Sequence, residues 1–169
     1  ILCRIGGCCM IYIGSIGNPN IGHSDVADEV WAIVRSDKRV PSWMKHVPEL
    51  SPSWELFKQY LTWRDCGHWN KDTFEREYVP RFLDEFKNGD SDLLCTLAYL
   101  KELDQSGKNI WLVCFCADET MCHRSIVAGI LQGLGFNVAG NDYSKYYNMI
   151  TCTATKEEEQ HSTVFSDKC

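Results

Sequence analysis

The stretch that most constrains the fold is residues 110–131, Ile-Trp-Leu-Val-Cys-Phe-Cys-Ala-Asp-Glu-Thr-Met-Cys-His-Arg-Ser-Ile-Val-Ala-Gly-Ile-Leu. It opens with a continuous apolar run of strand length. It closes with Ile126, Val127 and Ile130, joined by Leu134, on one side of a helix. The segment therefore predicts a buried strand, a short polar turn and a helix, and Gly135 marks the helix end. Cys114, Cys116, Cys122, His123 and Arg124 fall around that one junction.

The rest of the chain repeats the alternation. Residues 10–13 (Met-Ile-Tyr-Ile) and 30–34 (Val-Trp-Ala-Ile-Val) read as strands, the second apolar enough to be covered on both faces. Ser51 and Pro52 form an N-cap and first-turn pair for a helix over 53–62, with Trp54, Phe57 and Leu61 on a shared face. A helix over 72–87 carries Phe74, Tyr78, Phe82 and Phe86 inward and is kinked by Pro80; another over 91–103 buries Leu93, Leu97 and Leu100. Residues 136–139 read as a last strand. Strands alternating with helices predict a three-layer α/β domain with a small, mostly parallel sheet and a helical insertion in its middle. Ligands of such sheets gather beyond the carboxyl ends of the strands.

With 169 residues, the chain is expected to form one domain over residues 10–155. Residues 1–9 are expected to be a leader or an appended remnant, and residues 156–169 a flexible acidic tail. The net charge of −6 excludes tight non-specific binding to nucleic acid, which needs lysine and arginine against phosphates. A nucleic-acid partner is left open only by a local basic segment holding Arg35, Lys38, Arg39 and Lys45. No window has the roughly 18 apolar residues that span a bilayer, so no membrane partner is expected. Ten cysteines without a persuasive secretory signal point to a reducing, cytoplasmic setting.

At the junction, Thr120 is the expected N-cap, placing Cys122 and His123 in the first turn, where unpaired amides favour anions and lower a thiol's pKa. Cys122 and His123 are thus the candidate catalytic pair. Arg124 is expected to meet an anion, either Asp118 or Glu119 internally or an external phosphate, because a guanidinium sits badly against the helix dipole. Cys114, Cys116, Cys122 and His123 could instead surround zinc, although their spacing matches no standard knuckle, and Cys66 and His68 could add ligands. The spacing excludes a phosphatase loop, since Cys116 lies eight residues before Arg124 with no intervening glycine, and it excludes a redox pair separated by two residues.

Leu112-Val-Cys114, seven residues, then Cys122-His-Arg124 resembles the signature of the domain-of-unknown-function family 488, the YeaO-like proteins. Val34-Arg35, Val40-Pro-Ser-Trp43, Leu-Ser-Pro-Ser-Trp-Glu-Leu-Phe-Lys-Gln-Tyr over 50–60, Phe74-Glu-Arg-Glu-Tyr78 and the opening Met-Ile-Tyr-Ile-Gly-Ser-Ile-Gly over 10–17 are similar to it as well. The resemblance covers about residues 10–140 and implies a Rossmann-like α/β protein with no settled activity. It carries over Cys114, Cys122, His123 and Arg124 as motif positions, and more loosely Arg35. Cys116 and the loop Asn18-Pro-Asn-Ile-Gly22 depart from the pattern.

The leading expectation is an enzyme, or a degenerate one, acting on a nucleotide or nucleic-acid-derived phosphate, with Cys122 and His123 reactive and Arg124, Arg35 and Cys114 binding the ligand. The alternatives are a zinc or thiol redox module, and a non-catalytic inhibitor or adaptor using Trp43, Trp54, Trp63 and Trp69 against a protein partner. The sequence names no cofactor.

Overall fold

A computed structural model describes residues 9–18, 20, 21 and 27–152. The leader expected at 1–9 falls outside these apart from Cys9, which is buried in the core, and the tail expected at 156–169 falls outside altogether. Four strands, β1 (Ile11–Ser15), β2 (Glu29–Ala32), β3 (Lys45–His46) and β4 (Ile110–Cys114), form one parallel sheet in the order β1-β4-β2-β3. The strand expected at 136–139 is reduced to a bridge, Val138 beside Ile11, held by Ile11 N–H to Asn137 O and Ala139 N–H to Ile11 O, both 2.8 Å.

Side chains alternate along the strands, so the sheet has two apolar faces. Ile11, Trp31, Ile33, Ile110 and Leu112 pack into the larger core with the helices. Those helices are α1 (Trp54–Asp65), α2 (Lys71–Thr73), α3 (Val79–Lys87), α4 (Ser91–Gln105) and α5 (His123–Gly133). Val30, Ala32 and Val113 face the other way, under a thinner cover that includes Ile16, Ile21, Val40 and Met44. The layers are thus helix, sheet and connecting segments, a Rossmann-like α/β arrangement.

The start of the first helix differs from the sequence expectation because the capping residue lies further along the chain. Ser53, not Ser51, caps α1, its Oγ accepting the Leu56 N–H at 3.1 Å. That rotates α1 so that Leu56, Tyr60 and Trp63 face the core, while Trp54 is 52% exposed. Between α2 and α3, residues Phe74–Tyr78 widen into a π turn, with Val79 N–H reaching Phe74 O, directly before the proline that cannot donate. The turn keeps Phe74, Tyr78 and Phe82 stacked, with centroids 5.7 and 6.2 Å apart.

α5 is buried from His123 to Leu131. The sheet covers one side of it and helical residues 145–152 lie near another, close enough that Gly129 touches the Tyr143 backbone. No helix of the described residues is long and apolar enough to cross a membrane.

Candidate functional site

β4 ends at Cys114, in the middle of the sheet, and the chain turns through residues 115–121 before α5 begins. Thr120 does not cap α5. Its N–H and hydroxyl both donate to Asp118 Oδ1, at 2.8 and 2.7 Å, and tighten the turn instead. The cap position belongs to Cys122, in extended backbone, whose carbonyl accepts the Ser125 N–H (3.1 Å) and hydroxyl (2.7 Å). This shift by two residues leaves the Cys122 side chain free of capping and directs it into the fold.

There it meets the sulfurs of β4. The Sγ atoms of Cys114, Cys116 and Cys122 all lie within 4.8 Å of one another, with Cys114 and Cys116 at 3.8 Å. His123 Nδ1 stands 4.0 Å from Cys114 Sγ and 3.8 Å from Cys122 Sγ. Its Nε2 is 2.6 Å from the carbonyl of Ile33, at the end of β2. A carbonyl only accepts, so Nε2 carries the proton and Nδ1 presents its lone pair to the thiols. Burial lowers the His123 pKa and keeps the ring neutral. Among the described residues these three thiols are the cysteine, histidine and carboxylate set close enough for one metal ion.

The thiols are not equivalent. Hydrogen bonds donated by Cys116 and then Cys122 hold the Cys114 thiol well below the ordinary range, whereas burial pushes Cys122 well above it. Cys116, the donor to Cys114, is raised. Sealed at 2% exposure, Cys122 has its pKa raised by burial, opposite in direction to what a helix start alone gives. Cys116 is the half-buried member and the one nearest solvent.

Arg124 closes the site from the far side. It is 2% exposed, and its terminal nitrogens donate to the carbonyls of Cys116 and, at 3.2 Å, Ala117. Its Nε is buried without a hydrogen-bond partner. Neither acidic neighbour pairs with it: Asp118 holds Thr120, and Glu119 accepts from Tyr143 (2.6 Å) and Asn141 (3.0 Å). The guanidinium therefore braces the turn and places a buried positive charge beside the thiols, instead of facing an external anion.

Arg35 is not part of this cluster. It donates to Ser51 Oγ from Nε (2.9 Å) and to Pro48 O from Nη2, on the wall of a cleft of about 580 Å³ whose other charged lining residues are Glu49, Asp84, Glu85, Asp90 and Asp92. Phe82, which also lines that cleft, lies with its ring centroid 5.9 Å from that of His123. Cys66 and His68, offered by sequence as further ligands, do not join the sulfur set. The basic segment is dispersed onto aromatic faces: Arg39 lies over Phe115 (4.8 Å), and Lys45 over Trp31 (4.8 Å) and Tyr99 (4.0 Å). Of the four tryptophans considered for a partner surface, Trp43 and Trp54 are exposed and Trp63 and Trp69 pack on the core.

Two contributors escaped the sequence reading. The Ile33 carbonyl is backbone and carries no residue-type signal. Tyr78 reads as one more aromatic of a core stripe, yet it is buried beside the cluster; burial, followed by the charge of Cys122, raises its pKa. Its being the one hydroxyl-bearing member of that stripe was the available clue.

A family model described as the active DUF488-N3 subclade, DUF488-N3a, matches residues 19–135, more than half of the chain and every residue of the sulfur cluster. No curated protein and no solved structure matches.

Proposed function

Because this chain belongs to the DUF488 family, matching its DUF488-N3a subclade, we propose that it is a thiol-dependent enzyme working at the carboxyl end of its sheet. The carrying observation is the convergence of the Cys114, Cys116 and Cys122 sulfurs within 4.8 Å beside a buried guanidinium that, among the described residues, forms no ion pair. A buried cation without a paired carboxylate is costly, and a thiolate in the cluster helps to offset it. Cys116 is the sulfur that a ligand reaches, the Cys114 thiolate to which it donates takes up its proton, and His123 Nδ1 lies beside both Cys114 and Cys122. Arg124 is a positioning residue that holds the turn and the local field.

The word "active" in the subclade's description favours an enzyme over a degenerate one. A phosphate or nucleotide ligand, suggested by the motif alone, has less support: Arg124 and Arg35 both direct donors at groups of the protein itself, and the cleft beside Arg35 is rimmed with carboxylates.

The test is competitive alkylation of the reduced, metal-free full chain with iodoacetamide, mapped by peptide mass. Cys116, the half-buried sulfur, takes label ahead of the sealed Cys114 and Cys122, and Arg124→Met, which removes the positive charge beside the cluster, slows that labelling while circular dichroism stays native. Labelling of Cys116 no faster than that of Cys114 and Cys122, or at a rate untouched by Arg124→Met, overturns the reading.

A further inference from the structure

We infer that the sulfur cluster is the binding site of a thiophilic divalent cation, zinc foremost, held by Cys114, Cys116 and Cys122 with His123 Nδ1 as the fourth donor. The inference rests on the cluster being the functional centre and adds its control: a metal-loaded form and a free-thiol form, of which only the second presents Cys116 to an electrophile.

The geometry points to this ion. Zinc takes four sulfur or nitrogen donors in a tetrahedron, and bonds of about 2.3 Å give sulfur–sulfur edges of about 3.8 Å. Cys114 and Cys116 already stand 3.8 Å apart, and the third sulfur lies within 4.8 Å of both. Nδ1 is 4.0 and 3.8 Å from Cys114 and Cys122, and lies outside the set of three sulfurs that already fall within 4.8 Å of one another, so it must close in on the ion as the site fills. The histidine is prepared as metal-bound histidines usually are, its other nitrogen donating to a carbonyl, here that of Ile33 at 2.6 Å.

Charge supplies an independent observation. A divalent ion with three thiolates and a neutral imidazole carries one net negative charge. The buried Arg124, whose Nε has no hydrogen-bond partner, brings the assembly to neutrality. A carboxylate-rich site would instead suit harder ions such as magnesium or calcium; three sulfurs select zinc. Uptake displaces the thiol protons, which pass to the buffer, and no electron moves.

The decisive experiment titrates the reduced full chain with Co²⁺ alone and then displaces it with Zn²⁺. One equivalent of Co²⁺ produces the visible bands of a tetrahedral site with a thiolate charge-transfer band, and Zn²⁺ abolishes them with proton release. Cys116→Ser, at the half-exposed position, weakens Co²⁺ binding by at least the roughly 10-fold typical of losing even an outer partner of a metal ligand. The double variant C66S/C95S leaves it unchanged. Absence of the bands, or bands untouched by Cys116→Ser, overturns the site. Fast alkylation of Cys116 without cobalt uptake removes the metal site and spares the thiol reading; uptake with sluggish thiols keeps the metal site and removes the other.

Discussion

Gly129→Ala sets two effects of opposite sign against each other. In a helix interior the change should stabilise by about 1 kcal/mol through propensity. At Gly129, however, a Cβ would stand 1.9 Å from Tyr143 O and 2.7 Å from Tyr143 C. Ordinary contact is about 3.5 Å, so α5 and the segment holding Tyr143 must part by more than about 1 Å. Tyr143 cannot yield cheaply, because its N–H donates to Gln132 Oε1 (2.8 Å), its hydroxyl to Glu119 (2.6 Å), and its carbonyl accepts Tyr146 N–H (3.1 Å). Overpacking of this kind costs about 1–3 kcal/mol, and one broken hydrogen bond adds about 1 kcal/mol. The expected net loss is about 1–3 kcal/mol, read by urea unfolding as a lower midpoint at unchanged slope. Gly133→Ala tests the same packing one turn on: its Cβ would stand 1.9 Å from Tyr147 Cγ and 2.3 Å from Tyr147 Cβ, which the backbone fixes, so a loss of similar size is expected. A Gly129→Ala chain as stable as the parent, or more so, refutes the packing of residues 143–152 on α5.

Ser53→Ala removes the cap of α1 and the bond to Glu85 together, and should lower stability by about 1–2 kcal/mol in the same assay. Leu112→Ala, fully buried in the central strand, should lose about 2–5 kcal/mol; a loss below 1 kcal/mol would remove β4 from the sheet's centre.

The strands β1, β2 and β4 and the helices around them were legible because apolar runs and helical stripes report burial directly, as the Phe74, Tyr78 and Phe82 stack shows. Two-residue β3 was invisible, since Lys45 and His46 carry no apolar pattern and pair only because β2 lies alongside. The nearness of Cys114, Cys116 and Cys122 was legible because a strand end and the helix that follows it after a short turn must lie side by side. The partners of Arg124 were not: its sequence position suggests an anion, Asp118, Glu119 or an external phosphate, and only the fold shows the Cys116 and Ala117 carbonyls accepting from it. Arg35, one residue beyond the end of the β2 apolar run, gave no sign that Ser51 would hold it away.

The most direct test of the sulfur centre is arsenite, whose trivalent arsenic condenses with three thiols and releases three waters, a reaction open only to sulfurs that can meet at one atom. The reduced chain should retain one arsenic, with Cys114, Cys116 and Cys122 protected together from later alkylation while Cys66 and Cys95 stay reactive. A chain that retains no arsenic, or in which one of those three sulfurs labels as freely as Cys66, would contradict the account.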